Sequence, residues 1–579
     1  MDKSTETQEK VILRDGLFCC IIKFIYADYY QLRFFKFFLL IKGIVMANFF
    51  TKTNKDMKYI FKKSANLNKK EKRRKKRGVM ALIGLLLVLV ELVISGLFLF
   101  EIFKLDIFPT KYFIMMIVIL VLILLYNFTS QFTKAHYFGK FLSVLMSVIL
   151  VFGYLVGSKV NWAFGNITNT KIETDVVDVI VLKHDSASSI KDALSYTFGY
   201  NGSIEETLST KAAEQINSEN NASISTKKYT SWDNLLEALY SNKDIKAIFM
   251  TESMRASMSE EDKDFASKTK VLGNIKIITK TTVNTAAKKS KGEPFVVYIS
   301  GNDGYGDISD VGRSDVNILA VINPETRQVL LISTPRDYYI TISDANGRKG
   351  IDKLTHAGNA GTQGSIDALY DLYGFKADYF MKLNFDGCVK IVDALGGITI
   401  DSEVEFTNGN DAAPENYHFV KGLNECDGAM TLAFVRERQC FMNGDFQRGR
   451  NQQAAISGII NKATSPSILT SYSSVLEAAT EVLYTNMPTS MITGLIKDQL
   501  ADSTPWNVQS YAVSGRTQSN YCNLYGFYAS TVVPDYDTVN IAIKLMNMIY
   551  NDETVNVDEY VESLSLIHIS EPTRLRCIS

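Results

Sequence analysis

Three long apolar runs stand in succession in the first third of the chain, Val79 to Phe103, Tyr112 to Phe128 and Phe141 to Val156. Each approaches or exceeds the length that crosses a bilayer as a helix. A buried core helix is the rival for any one of them, but three in a row with few charges favour spans. After about Gly157 the pattern breaks into short alternating runs. Val176 to Leu182 and Ile245 to Met250 predict strands, while Ser189 to Phe198 and Trp232 to Tyr240 predict helices, the second carrying an apolar stripe of Leu235, Leu236 and Leu239. Ser203 to Lys228 is polar and is expected to carry loops. Thr281 to Lys291 is expected to be a linker.

Beyond it, Phe295 to Ile299 predicts a strand. Val316 to Ile322 and Val329 to Ile332, split by Asn323-Pro324-Glu325-Thr326-Arg327, predict a strand pair joined by a turn. Ser365 to Tyr373 predicts an amphipathic helix. Met381 to Phe385 predicts a strand, and Cys388 to Leu395 a helix stopped by Gly396-Gly397. Leu423 to Thr431 is expected to start a helix or turn before a strand at Phe434. Gln453 to Ala463 continues a helix begun near Arg448, and Val539 to Tyr550 is the last helix. The expected fold class is α/β: three N-terminal transmembrane helices over 79–159, a small α/β domain over 170–285, and a larger sandwich-like α/β domain over 293–552 whose central sheet is covered on both faces.

Charge refines this. Lys+Arg and Asp+Glu are both 62 in 579 residues, so net charge argues neither for nor against nucleic acid. The basic residues crowd into 52–77, and Lys69 to Arg77 abuts the first apolar run. That is the positive-inside signature of an anchor. It predicts a cytoplasmic segment 1–78, three spans, and everything after about Gly157 outside. Seven cysteines form no C-x-x-C pair; a Cys426–Cys440 disulfide competes with free thiols. Leu564 to Arg574 resembles a translated sequencing adapter, so 564–579 is set aside. Residues 1–45 read as translated upstream DNA, with initiation at Met46 or Met57, or else as an extra membrane-associated helix.

The candidate chemistry gathers around the predicted strand pair. Arg313 and Asp315 enter the first strand, and Arg336 and Asp337 leave the second, so antiparallel pairing brings them to one sheet edge. Nearby in sequence are Asp303 between Asn302 and Gly304, and then Arg436, Arg438, Asp445, Arg448, Arg450 and Gln452. Arg436 and Arg438 would share a face on a strand, and Arg448 and Gln452 a face on a helix. Arginine grips phosphate with a planar fork, and carboxylates among such arginines suggest a divalent cation bridging acid and phosphate. The site inferred is a pyrophosphate cradle with a metal. Each residue also has a plainer reading: Asp303 as a turn former, Arg313 and Arg336 in surface ion pairs, Arg436-Glu437-Arg438 on a solvated edge strand, His356 as a satisfied loop histidine.

Residues 293–552 resemble the LytR-CpsA-Psr family, long labelled cell-envelope-related transcriptional attenuators. The pieces that carry the resemblance are S-G-N-D, G-R-S-D-V-N, T-P-R-D, K-L-T-H-A-G, D-Y-F-M-K-L-N-F, V-D-A-L-G-G, F-V-R-E-R and D-F-Q-R-G-R-N-Q, in that order. The resemblance implies a membrane-anchored phosphotransferase. Such an enzyme joins a glycopolymer carried on a polyprenyl pyrophosphate (capsular polysaccharide or teichoic acid) to a peptidoglycan hydroxyl. It implies Mg²⁺ or Mn²⁺ on Asp303 and Asp315, catalytic roles for Asp303, Asp315 and Arg336, and substrate contacts from Arg313, Arg336, Lys382, Arg436, Arg438, Arg448 and Gln452. Arg450 would only steer anions. The sheet and helices such as 388–395 would line a lipid groove, and 170–285 resembles the accessory domain of the capsule branch. A pyrophosphate hydrolase using water is one alternative and a membrane-bound transcriptional attenuator another. The predicted topology speaks against the attenuator, and no nucleic-acid partner is expected.

Overall fold

The structure is a computed structural model that describes residues 55–169, 172–280, 292–302, 310–409, 412–442, 444–465 and 467–562. The proposed leader 1–45, the linker Thr281–Lys291, Asp303 and the tail 564–579 lie outside the described residues.

The chain divides into two compact units. The first is built from α1 (Lys69–Leu105), α2 (Thr110–Ser130) and the start of α3 (His136–Asn169). Asn68 starts α1: its side chain accepts from the Lys70 and Glu71 amides, and Glu71 reaches back to the Asn68 amide, a capping box. All three helices are long and apolar enough to cross a membrane. Their packing is inverted relative to a soluble bundle. Leu86, Leu89 and Val93 face outward, whereas Glu91 is buried and accepts two hydrogen bonds from Asn127 Nδ2 at 3.0 and 2.9 Å. Hydrocarbon solvates leucine and not carboxylate, so polar groups turn inward and find one another.

Among the described residues the second unit holds two main sheets and four two-stranded ribbons. The smaller is formed by β1 (Ile172–Leu182), β2 (Thr197–Asn201), β3 (Ser225–Tyr229), β4 (Ala247–Thr251) and β5 (Thr269–Lys280), in the order β3-β2-β4-β1-β5. It carries α4 (Glu206–Asn220), α5 (Trp232–Ser241), α6 (Glu252–Glu261) and α7 (Lys263–Lys268). The region expected to be a helix at Ser189 to Phe198 is a single 3-10 turn, Ile190–Ala193, followed by β2. The buried Phe198 is needed in the sheet, where it stacks on Phe249 at 5.0 Å. The polar stretch expected to be loops contains α4 and β3. The buried stripe of α4 is Ser209, Ala212, Ala213 and Ile216, a helical spacing masked by small residues.

The larger sheet begins with β6 (Phe295–Asn302), β7 (Val316–Asn323) and β8 (Gln328–Thr334). Then come β9 (Tyr339–Ser343), β10 (Lys349–Lys353), α8 (Leu354–Ala357), α9 (Gly361–Tyr373), β11 (Tyr379–Asn384), α10 (Phe385–Ala394), β12 (Ile398–Ser402), β13 (Phe406–Thr407), β14 (His418–Phe419) and β15 (Gly422–Cys426). The chain closes with α11 (Gly428–Arg436), α12 (Gly444–Thr464), α13 (Ile468–Val482), β16 (Leu483–Thr485), α14 (Thr489–Ala501), β17 (Asn507–Ala512), the β18 (Gly515–Cys522) and β19 (Phe527–Pro534) ribbon, and α15 (Tyr536–Tyr550). The six-stranded order is β16-β11-β6-β7-β8-β17. Helices α9 and α15 pack on one face of this sheet, through a core that includes Leu319, Leu330, Ile366 and Leu545. On the other face lie Ile456 and Ile460 of α12 and Met491, Ile492 and Leu495 of α14, all half-buried over Val297, Ile318 and Leu331. The helix expected to face the sheet, 388–395, instead packs within a separate core with Ile398, Phe419 and Phe434.

The two sheets share one hydrophobic core, which takes in Ile180 and Ile248 with Val296 and Leu319, and polar contacts add to it. The Val311 amide donates to the Thr174 carbonyl at 2.7 Å, Glu173 accepts from the Thr362 amide and hydroxyl, and Arg313 pairs with Glu260.

One buried acid makes the fold pH-sensitive. Glu205 is fully buried; desolvation raises its carboxyl to about 7 despite hydrogen bonds from Thr251, with Asp175 and Asp178 adding to the rise. A raised carboxyl favours the folded state at low pH, and that stability is lost as pH climbs from the unfolded value toward the folded one. Glu205→Gln is therefore expected to make the protein more stable than wild type at pH 8, by about 3 kcal/mol. The difference should vanish near pH 4.5. Denaturation across that window checks it, and a constant difference between the two proteins would contradict it.

Candidate functional site

The β7–β8 hairpin turns at Asn323-Pro324, with Arg327 at φ +55°. Its register pairs Asn317 with Thr334. Continuing each strand by two residues sets Asp315 opposite Arg336, and the Asp315 amide is pinned to the Gly301 carbonyl of β6 at 2.8 Å. Arg336 Nη1 donates to Asp315 Oδ1 at 2.7 Å, with both side chains nearly buried. Arg336 Nε lies 3.7 Å from Asp337, whose other oxygen is 3.4 Å from Lys353 Nζ.

Burial alone would raise the Asp315 carboxyl, but Arg336 and Arg313 outweigh it and hold it below the usual carboxylate range. Burial likewise works against the Arg336 guanidinium, and Asp315, Asp337 and Glu260 more than compensate, so its proton is held more tightly than usual. Arg448, on α12, goes the other way. Burial and the neighbouring Arg336 lower it, and its salt bridge to Asp445 at 3.2 Å does not make up the difference. A buried guanidinium under strain from another guanidinium marks a site short of negative charge.

Two small cavities open here. One, of about 30 Å³, is lined by Asp315, Arg336, Asp445, Arg448 and Gln452, among others. The second, of about 100 Å³, is lined by Arg336, Arg436, Arg438, Arg448, Glu260 and Phe385 and their neighbours. Arg336 and Arg448 belong to both. Among the described residues, Arg336 Nε and the buried Gln452 Nε2 have no hydrogen-bond partner. A hollow rich in guanidinium groups is what a bound oxyanion would satisfy.

The structure thus brings together Asp315, Arg336, Arg436, Arg438, Arg448 and Gln452. It changes how two of them arrive. Arg436 is the last residue of helix α11 and Arg438 follows the helix end, so the shared strand face expected for them does not exist. Asp427 caps that helix by accepting from the Met430 amide, and Thr431, Phe434 and Val435 form its buried stripe. Arg436 lies over the Phe385 ring, 5.5 Å from its centroid.

Other candidates are placed elsewhere. Lys382 lines neither cavity; its Nζ donates to the Asp310 carbonyl at 2.6 Å, on the β6 side of the sheet. Arg450 pairs with Glu403 at 2.8 Å, off this site. His356 is buried, with Nδ1 2.6 Å from Asp352, so the satisfied-histidine reading holds. Cys388, Cys426, Cys440 and Cys522 are free thiols. Asp303 falls outside the described residues.

Sequence reading missed Glu260. It lies on α6 of the smaller sheet and forms a two-pronged pair with Arg313, at 2.7 and 3.1 Å. No local signal marks it, because α6 holds no other residue lining these cavities.

Residues 248–535 match the LytR_cpsA_psr family model. The match begins in β4 and takes in Glu260. Two relatives are named polyisoprenyl-teichoic acid–peptidoglycan teichoic acid transferase TagU. That of Bacillus cereus (strain AH820) is 34% identical over 205 residues, 35% of this chain and 64% of that protein. That of Bacillus subtilis (strain 168) is 34% identical over 199 residues, 34% of this chain and 61% of that protein. The chain therefore spans less than two thirds of these relatives' length. The crystal structure of B. subtilis TagU aligns with 46% of this chain and 100% of its own, at 26% identity and a TM-score of 0.34.

Glu260 sets up a direct test of the site's charge. Glu260→Gln removes a negative charge facing the arginines and loosens the grip on Arg313. Inorganic pyrophosphate titrated into the full chain should bind roughly three- to tenfold more tightly to this variant than to wild type. Weaker or unchanged binding would show that the cavity is not an anion site.

Proposed function

We propose, for a chain that belongs to the LytR_cpsA_psr family through residues 248–535, that it transfers a glycopolymer from a polyprenyl pyrophosphate carrier to a peptidoglycan hydroxyl. The observation that supports this most is the surplus of buried and half-buried guanidinium around Arg336 and Arg448. The relatives' printed names supply the reaction class.

In this reading the arginines hold both phosphates of the donor. The acceptor oxygen attacks the phosphorus that bears the polymer, the bond to the bridging oxygen breaks, and polyprenyl phosphate leaves. Phosphoryl transfer of this kind needs positioning and charge stabilisation rather than a protein nucleophile. Arg336, fixed by Asp315, and Arg448, packed behind it, stabilise the charge that builds on the leaving phosphate. The acceptor proton passes to a carboxylate, for which Asp303 is the sequence's candidate. The lipid would lie along the sheet face that α12 and α14 cover loosely, where Ile456, Ile492 and Leu495 are half-buried.

Asp315 fits a divalent cation. Arg336 engages its Oδ1, and Oδ2 accepts no hydrogen bond among the described residues, leaving one hard oxygen of the kind Mg²⁺ takes alongside phosphate and water. Mg²⁺ or Mn²⁺ bound there, with Asp303 as second ligand, would neutralise phosphate charge. Asp315→Asn should therefore raise the Mg²⁺ concentration needed for half-maximal turnover; an unchanged requirement would remove Asp315 from the metal's ligands.

The three apolar helices anchor the chain in a membrane. The Lys69–Arg77 block supports a cytoplasmic N-terminus with the sheets outside. A topology reporter fused at residue 290 should report an external site, and a cytoplasmic signal would contradict the transferase reading.

The test of function uses purified full-length protein with a labelled lipid-linked polymer and peptidoglycan. Wild type should move label to peptidoglycan and release polyprenyl phosphate. Arg448→Lys keeps the charge but loses the fork, and should lower transfer roughly ten- to hundredfold. Lipid pyrophosphate cleaved without label on peptidoglycan would instead establish a hydrolase.

A further inference from the structure

Beside the arginine site lies a roomier cleft, of about 840 Å³. Its floor is β17, the edge strand of the six-stranded sheet. Helix α12 forms one wall and the β12–β15 ribbon the other. Ala512 lines both this cleft and the smaller arginine cavity, so the two hollows adjoin at that residue.

The edge strand faces the cleft with its hydrogen-bonding groups open. The Asn507 amide donates to the Arg327 carbonyl, and the Val513 amide to the Ser333 carbonyl. In a parallel pair this parity turns the odd residues toward β8 and the even ones away. The amides and carbonyls of Val508, Ser510 and Ala512 thus point outward, and all three residues line the cleft. Among the described residues no hydrogen bond is recorded to these groups. An open strand edge is usually covered or blunted by charge; this one forms the floor of a polar trough. Asn461 and Ser457 look in from α12, and the walls carry both signs of charge, with Asp401 and Asp558 against Lys421 and Lys462.

We infer that this cleft is the acceptor subsite, and that it takes the stem peptide of peptidoglycan as an added strand along β17. The inference rests on the transferase reading for its acceptor. Three observations favour a peptide. The outward N–H and C=O groups repeat at strand spacing, the geometry that pairs with an extended peptide backbone. Charges of both signs complement a chain that carries carboxylates and amino groups together. The two hollows adjoin at Ala512, so a peptide in the trough would have its attached sugar beside the cavity that Arg336 lines.

The experiment measures binding of two soluble probes to the full-length protein in lipid nanodiscs: an N-acetylated disaccharide bearing its stem peptide, and the same disaccharide without it. Wild type is expected to bind the peptide-bearing probe at least about tenfold more tightly, the worth of one or two added hydrogen bonds. Ser510→Pro deletes one outward donor without touching the β8 ladder. Asn461→Trp fills the trough from the helix side and serves if the proline variant fails to fold. Either variant, with an unchanged thermal midpoint, should bring the two probes to equal affinity. Equal affinity in wild type, or a preference that survives a folded variant, overturns the inference. Peptide-dependent binding by a protein that moves no polymer would sustain the cleft and sink the transfer reading, so the two failures are distinguishable.

Discussion

The Arg336–Asp315 pair is the contact on which the arginine site depends. It closes the mouth of the β7–β8 hairpin, where two strands of a buried sheet end side by side. A buried pair of this kind contributes little net stability, because desolvation of both charges offsets their attraction. What it provides is geometry. Asp315 fixes the guanidinium of Arg336 at the junction of two cavities, while the hydrogen bond from its own amide to Gly301 ties that position to β6. The site is therefore built on strand ends, with helix α12 adding Arg448 and Gln452 and the end of α11 adding Arg436.

Around that pair the charge does not balance. Arg448 is destabilised as a cation by its burial and by the nearby Arg336, and a fold tolerates that cost where a ligand repays it. The smaller sheet takes part too. Glu260 supplies an anion to Arg313 across the contact between the sheets, and Glu173 caps the start of α9 from the same side. The smaller sheet is thus part of how the arginines are arranged rather than a passenger ahead of them.

Much of this was legible in the sequence, for identifiable reasons. Asn323-Pro324 between two Val/Ile runs fixes a hairpin, and the hairpin alone brings Asp315 to Arg336. The four-residue spacing of Arg448 and Gln452 survives because α12 is a regular helix. The shared strand of Arg436 and Arg438 was misread because Phe434-Val435 looks like a strand; the N-cap Asp427, followed by apolar residues at helical spacing, was the signal that outweighed it. Helix α4 escaped notice because its buried face holds serine and alanine with a single large apolar residue, Ile216. Glu260 was beyond reach, since its role comes from the docking of two sheets and not from any neighbour in the chain.

The central claim is that the geometry held by Asp315 and Arg336, and not a general excess of positive charge, binds the anion. The double variant Asp315→Leu/Arg336→Met removes one charge of each sign, leaves the net charge of the site unchanged, and replaces a buried pair by apolar side chains that a folded core accepts. Titrating inorganic pyrophosphate into this variant and into wild type at equal ionic strength is the most direct test. The account predicts at least about a tenfold loss of affinity in the double variant, the scale of a lost charge-assisted hydrogen bond. Equal affinity in the two proteins would contradict it.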